Sequence, residues 1–196
     1  LKELSKSIIR RLSNPNFITK YFVGHGLDVG GGNDSLDNYK YLFPNIKSIR
    51  NYDRPDGDAL TLLDVKDNFF DFLHSSHCLE HLGCPIKGFN SWLRIVKPGG
   101  YLVITVPDED LYEQGVFPSS WSNEHKWTFT IYKDSSWNKE KSVNIIDLIK
   151  KSYYPISIEK IELLNYTFDS RKPREDQTLT SSLTESCIEI IIKKLG

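Results

Sequence analysis

Methionine is absent from the 196-residue sequence, which begins at Leu1. A chain without its initiator residue reads as one trimmed at the N-terminus, and residues ahead of Leu1 in the natural protein are left open. Cysteine is scarce: Cys78, Cys84 and Cys187 are an odd number and form no C-x-x-C pair. That excludes a disulfide framework and predicts reduced thiols. No excess of either charge exists, with 25 Lys and Arg against 26 Asp and Glu. Phosphate-backbone binding wants a basic surplus, so nucleic acid is not an expected partner. No apolar run approaches the roughly 20 residues that cross a bilayer. The opening LKELSKSIIRRL is too polar for a signal-peptide core. The expectation is a cytoplasmic protein without a membrane span.

What is present fits a globular chain, with 39% hydrophobic and 26% charged residues. Leu1, Leu4, Ile8 and Leu12 form an apolar stripe at helical spacing, with Lys2, Lys6 and Arg10 on another face. This predicts a surface helix packed on the domain, followed by a short helix over 15–22. From residue 26 strands and helices alternate. Strands are expected over 26–29, 46–53, 69–75 and 101–106, with helices over 35–43 and 85–96 and a tight Lys97-Pro98-Gly99-Gly100 turn. Alternation of this kind predicts a parallel sheet covered by helices on both faces. Further on come a helix over 143–151 and strands within 156–168 and 186–193, with a polar loop over 169–182. The expected organisation is one domain over 1–196, with an N-terminal helical extension (1–23) and a lid or acceptor segment (107–130).

Leu27-Asp28-Val29-Gly30-Gly31-Gly32-Asn33-Asp34-Ser35 joins a buried strand to a glycine turn and a helix start. Such a loop lets a ligand approach backbone N–H groups closely. The dinucleotide pattern G-x-G-x-x-G is incomplete, because Ser35 stands at the third position. Asp28 would repel a pyrophosphate but suits a ligand carrying a positive amino group. Asp53 lies 25 residues beyond Asp28, at the end of the next strand. Folds of this type place a carboxylate there for both ribose hydroxyls. Asp58 and Ala59 follow, suited to an adenine: a carboxylate for the exocyclic amine and a backbone N–H for a ring nitrogen.

The order LDVGGGND, NYD, GDALTL, FDFLHSSHCLEHL and RIVKPGGYLVITVP, over residues 26–107, resembles the class I S-adenosylmethionine-dependent methyltransferases. The resemblance implies an α/β, Rossmann-like, doubly wound sheet of seven mostly parallel strands, order 3-2-1-4-5-7-6, the last antiparallel. It also implies S-adenosylmethionine as cofactor and S-adenosylhomocysteine as product. Asp28, Gly30 and Gly32 would hold the methionine end, Asp53 the ribose, Asp58 and Ala59 the adenine, and the backbone of Ser75 the methionine amino group. Two departures stand out. Asn33 replaces a commoner glycine, and only 16 residues separate Asp53 from Phe69, so the second helix and third strand must be short or degenerate.

His77-Cys78-Leu79-Glu80-His81 spells H-x-x-E-H, which on a helix marks one class of zinc peptidase. A zinc site would need a further ligand from elsewhere and its own helical scaffold. The strand–helix reading supplies neither, so no metal is expected. Methyltransferases often carry a similar run here, and His77 would sit near the emerging methyl group. An alcohol acceptor must lose a proton, which makes His77 and His125 the candidate bases. His125 lies in FPSSWSNEHKWTF, where Trp121, Lys126 and Trp127 offer aromatic walls and a polar grip. Asp108, Glu109 and Asp110 directly follow the strand over 101–106 and could hold acceptor hydroxyls or an amine, or chelate a metal, though they make no convincing metal set. Each of these residues also has an ordinary structural reading: a satisfied core histidine, a lid packed by its aromatics, a solvated acidic turn.

The Val-Pro-Asp-Glu-Asp and Glu-His-Lys-Trp-Thr-Phe pieces resemble bacterial methyltransferases associated with surface-polysaccharide synthesis. This implies O- or N-methylation of a small acceptor: a sugar, a sugar nucleotide or a capsule or lipopolysaccharide precursor. Two other readings are carried. A cofactor-binding, non-catalytic partner subunit would keep the same residues. An NAD(P)-dependent oxidoreductase is disfavoured by Ser35 and Asp28. Pairing into a homodimer is left open.

Overall fold

The computed structural model describes residues 2–196. Leu1 of the N-terminal apolar stripe lies outside the described residues. The described residues carry eight strands: β1 (Gly24–Val29), β2 (Ile46–Tyr52), β3 (Phe70–Ser76), β4 (Val96–Pro107), β5 (Thr128–Thr130), β6 (Ser142–Asn144), β7 (Ile156–Leu164) and β8 (Cys187–Lys194). Six form the main sheet, in the order β2-β1-β3-β4-β8-β7. The first four are parallel neighbours, and β8 runs antiparallel to both β4 and β7. A separate parallel pair joins β5 to β6.

Among the described residues the main sheet has six strands, not the expected seven. Residues 54–69 make successive turns instead, closed by Asp56 N–H to Asp53 C=O, Leu62 N–H to Asp58 C=O and Val65 N–H to Leu62 C=O. Leu62 and Asn68 adopt φ of +46° and +52°, incompatible with an extended run. The Arg94 guanidinium donates to the carbonyls of Thr61, Leu62 and Val65, replacing the ladder a strand would have given them. Leu62 and Val65 still plug the core.

Side-chain alternation sends residues of each strand to opposite faces. On one face Leu73, Leu102, Ile104, Ile190 and Ile192 pack beneath α2 (Pro85–Ile95) and α3 (Ile145–Lys150). On the other, Phe72, Val103 and Ile191 meet Phe17, Phe22 and Phe43 and the N-terminal helix α1 (Glu3–Leu12). A short helix α4 (Gln177–Thr180) interrupts the polar stretch that was expected as a loop.

Two local expectations are revised. Lys97 to Gly100 lies within β4 as an irregularity, the register jumping from Phe70–Val96 to Phe72–Tyr101. The supposed charged face of α1 is covered: Lys6 is buried and donates to the carbonyls of Thr178 and Thr184 at 2.7 and 3.2 Å. No helix among the described residues is long and apolar enough to cross a membrane.

Candidate active site

The carboxyl ends of β1, β2 and β3 meet at the glycine loop. Gly30 follows β1 with φ +77°, a conformation that side chains oppose. A Cβ there would lie 2.7 Å from Cys78 Sγ, so glycine also permits the close approach of the β3 exit loop.

Asp28, on β1, stands behind this loop rather than in it. It is fully buried, with both oxygens engaged. Oδ2 accepts from Leu36 N–H (2.6 Å) and Ser35 O–H (2.9 Å), and Oδ1 accepts from His74 Nδ1–H (2.6 Å). The tautomer of His74 is set from its far side, where Arg11 donates to Nε2 at 3.0 Å. Arg11 is itself fully buried and pairs with Glu189 at 2.9 Å. Glu189 also accepts from Arg10 and Lys160. Burial alone would raise the Asp28 carboxyl, but His74, Leu36 N–H and Ser35 outweigh it and hold it below the ordinary range. Arg11 and Arg10 likewise overcome burial at Glu189 and hold its carboxyl far down. A line of buried ionic and hydrogen-bonded groups therefore runs from β8 through α1 and β3 to the glycine loop.

Two cavities flank Gly30 and His77. The larger, about 400 Å³, is lined by Asp53, Asp58, Ala59, His81 and Lys126 among others. Asp53 uses Oδ1 to accept from Arg54 N–H, while Oδ2 lies 3.4 Å from the position of a Cβ on Gly32. Asp58 accepts from Leu60 N–H and Thr61 O–H, which fixes its turn. The smaller cavity, about 210 Å³, is bounded by Glu3, Asp28, Gly30, Gly31, Ser76 and His77. Ser76 Oγ is buried there without a hydrogen-bond partner among the described residues. Ser75 points elsewhere, its hydroxyl donating to the Val29 carbonyl at 2.9 Å.

His77 holds φ +53°, strained for a non-glycine residue, and borders both cavities. Its Nδ1 is 3.5 Å from Glu80 Oε1 and its Nε2 is 3.9 Å from Glu3 Oε2. Burial would lower the imidazole, but Glu80, then Glu3 and Glu185, raise it above its ordinary value. The H-x-x-E-H string does not lie along an α-helix; only a single tight turn, Leu79–His81, follows Cys78.

The 107–130 segment returns over this region. Lys126 N–H donates to the Glu80 carbonyl (2.9 Å), and Glu124 pairs with Arg54 (2.6 Å) at the rim of the larger cavity. Of the expected acceptor residues, only Lys126 lines that cavity. Trp127 anchors the segment, its Nε1–H on the Leu82 carbonyl, and borders a separate cavity of about 590 Å³. Trp121 donates to the Tyr112 carbonyl and lies under the Arg174 guanidinium. Asp108 is buried and caps the turn Glu109–Glu113 by accepting from Asp110 and Leu111 N–H. Burial, only partly offset by these two donors, pushes its carboxyl up to about 6. His125 does not line the larger cavity; its Nδ1–H donates to Glu113 at 2.7 Å.

Arg11, His74 and Glu189 were missed by the sequence reading, though a signal existed. Glu189 interrupts the apolar run of β8 and His74 that of β3. A polar group inside a central strand requires a buried partner.

Comparison with known proteins gives a consistent picture. A family model described as a methyltransferase domain matches residues 4–141. No curated protein matches the sequence. Among solved structures, a SAM dependent methyltransferase from Archaeoglobus fulgidus superposes with a TM-score of 0.60 at 19% identity, covering 98% of this chain and 94% of that one. An S-adenosylmethionine dependent methyltransferase from Mesorhizobium loti gives 0.56 at 12% identity, covering 96% of each chain. A chain from the complex of the Haloferax volcanii Trm112 methyltransferase activator with a methyltransferase gives 0.55 at 12% identity, covering 99% of this chain and 95% of that one.

Proposed function

The chain belongs to the methyltransferase-domain family, and from that premise we propose that it methylates an oxygen or nitrogen of a small polar acceptor: a sugar, a sugar nucleotide or a capsule or lipopolysaccharide precursor. S-adenosylmethionine is the methyl donor. The observation that carries the cofactor assignment is the pair of cavities meeting at Gly30 and His77.

The residues fit such a cofactor. The larger cavity offers the Asp53 carboxylate for a ribose and the Asp58–Ala59 turn for an adenine, on a glycine-lined wall. The smaller one offers the buried, unpartnered Ser76 hydroxyl and the backbone of Gly30 and Gly31 for the methionine end. Asp28 serves by holding the loop, because its oxygens are already taken by His74, Ser35 and Leu36. The bound sulfonium supplies an electrophilic methyl carbon. The chain must then place an acceptor in line with it and keep water out.

His77 is better placed than His125 to take the acceptor's proton, because it borders both cavities while His125 is turned to Glu113. With Nδ1 against Glu80, Nε2 is the atom that would receive it. Lys126 and the Glu124–Arg54 pair close one rim of the cleft and would meet a phosphate or hydroxyl of the acceptor. The strand-end segment 107–130 is thus the proposed lid of a domain spanning 1–196, and helix α1 of its N-terminal extension walls the smaller cavity through Glu3.

The test is calorimetric titration with S-adenosylhomocysteine, with NAD as comparison, followed by a methyl-transfer screen over nucleotide sugars and phosphorylated sugars read by mass spectrometry. Saturable binding of the thioether and a 14-Da gain on a sugar acceptor are expected. Thioether binding with no transfer to any sugar would move the acceptor to another class. Binding of NAD alone would refute the cofactor assignment.

A further inference from the structure

Glu80 is fully buried, and neither of its carboxylate oxygens has a hydrogen-bond partner among the described residues. A buried carboxylate left so is costly, and native proteins rarely tolerate it without a compensating cation. Three imidazoles face it: His77, whose Nδ1 stands 3.5 Å from Oε1 without forming a hydrogen bond, and His81 and His125, whose outward nitrogens are already committed. His81 Nδ1–H donates to the Glu124 carbonyl at 3.1 Å, leaving the Nε2 lone pair 3.9 Å from Glu80 Oε1. His125 Nδ1–H donates to Glu113 at 2.7 Å, leaving its Nε2 lone pair also 3.9 Å from Glu80 Oε1. The three potential donor atoms all lie within 4.8 Å of one another.

We propose that Glu80, His81 and His125 form a site for a divalent transition-metal ion of the zinc type, built where the 107–130 segment folds back over the H-x-x-E-H string. Two neutral imidazoles and one carboxylate are the ligand chemistry of such ions, not of magnesium or calcium, which prefer all-oxygen sets. Bonds of about 2.0–2.2 Å in a tetrahedral arrangement put ligand atoms roughly 3.4 Å apart, so each 3.9 Å separation must contract by about half an ångström. The outer partners match what metal-bound histidines require: Glu113 on His125 and a backbone carbonyl on His81 each fix the tautomer that frees Nε2. Glu113 is itself buried, so its carboxylate meets the His125 imidazole away from water. Three protein ligands leave a coordination position open, as in zinc sites that take a further oxygen ligand. Entry is available because His81 lines the larger cavity. The sequence led to no expected metal for want of a further ligand and of a helical scaffold; His125, 44 residues beyond His81, offers that further ligand through the fold.

Metal binding is measured without cofactor or acceptor, so it stands or falls apart from the methyl-transfer reading. The full chain, dialysed against chelator, is titrated with Zn²⁺ by calorimetry and with Co²⁺ by visible absorption, with Mg²⁺ as comparison. One Zn²⁺ per chain is expected, at least 100-fold tighter than Mg²⁺, with Co²⁺ d–d bands of a low-coordinate site. His125→Ala should remove the bands and weaken Zn²⁺ by 100-fold or more. Glu113→Gln, which leaves every ligand in place, should weaken it 10- to 100-fold. Glu80→Gln removes a buried, unpartnered charge, so the metal-free variant should melt no lower than the unsubstituted protein while losing the ion. The exposed His25→Ala change should alter nothing. No saturable Zn²⁺ or Co²⁺ signal overturns the proposal. So does a signal that persists in both His125→Ala and Glu80→Gln, which would mark an adventitious ion elsewhere.

Discussion

Asp28 decides between two readings of the glycine loop. If it contacts the cofactor's amino group directly, its replacement should spare stability and cost binding. If it is the internal anchor the structure describes, the cost falls first on the fold. All three of its partners are donors: His74 Nδ1–H, Ser35 O–H and Leu36 N–H. In Asp28→Ala the serine hydroxyl can rotate to another acceptor, but the other two donors cannot. Two orphaned donors at about 1–3 kcal/mol each, in a network whose charge balance is also broken, put the loss at roughly 3–5 kcal/mol. Asp28→Asn keeps the shape but must turn its NH₂ toward a donor. His74 cannot rescue it by moving its proton to Nε2, because Arg11 already donates there. About 2–3 kcal/mol is therefore expected for Asn. For a chain of this size, 3 kcal/mol corresponds to a fall in Tm of about 6–12 °C. Thermal and urea melts of both variants, beside S-adenosylhomocysteine titrations well below Tm, give the comparison. An Asp28→Asn protein that melts within about 1 kcal/mol of the parent yet binds the thioether 100-fold more weakly would refute the anchor and restore direct contact.

Other expectations follow from the cleft and its surroundings. Asp53→Ala removes a charged acceptor from the larger cavity at little structural cost, so thioether Kd should rise about 10- to 100-fold, a loss of roughly 1.5–3 kcal/mol, with Tm nearly unchanged. An equal fall in Tm would assign Asp53 to the fold instead. Asp108 should give stability a pH slope. Its folded value of about 6 lies above the ordinary 3.8, so the folded chain keeps a proton that the unfolded chain releases in that window. Stability should therefore fall as pH rises from about 4 to 6, by up to roughly 3 kcal/mol, and Asp108→Asn should flatten that part of the profile. An unchanged slope in the variant would show that another group is responsible. Gly30→Ala adds a Cβ 2.7 Å from Cys78 Sγ at φ +77°, so a loss above about 1–2 kcal/mol is expected in chemical melts.

The parts of the site that were legible in the sequence are those carried by strand ends. Gly30 and His77 directly follow β1 and β3, Asp53 follows β2 with Asp58 and Ala59 in the turns beyond, and a parallel sheet brings such strand ends to one edge whatever else the chain does. What was not legible depends on long-range closure. Nothing near Asp28 announces that Arg11, on a helix read as a surface feature, will occupy the far side of His74. Nothing near His81 announces that His125 will arrive opposite Glu80 on an irregular segment without periodicity. The absent strand between Asp53 and Phe69 was foreshadowed by the short spacing. Its replacement by turns held on Arg94 was not, because one side chain from α2 does what a hydrogen-bonded neighbour usually does.

The pairing of Arg11 with Glu189 spans 178 residues of chain. During synthesis the glycine loop, Asp53 and His77 emerge long before β8 does. Until then Arg11 has no carboxylate to hold it against His74, and Asp28 is steadied from one side only. The second side of that support therefore waits on the insertion of β8 between β4 and β7. A ribosome-bound chain that stops short of β8 would carry nearly every residue of the cleft and still lack the charge that locks it. Cofactor binding would then report on the insertion of β8, since the loop is locked only in chains where Glu189 has reached Arg11.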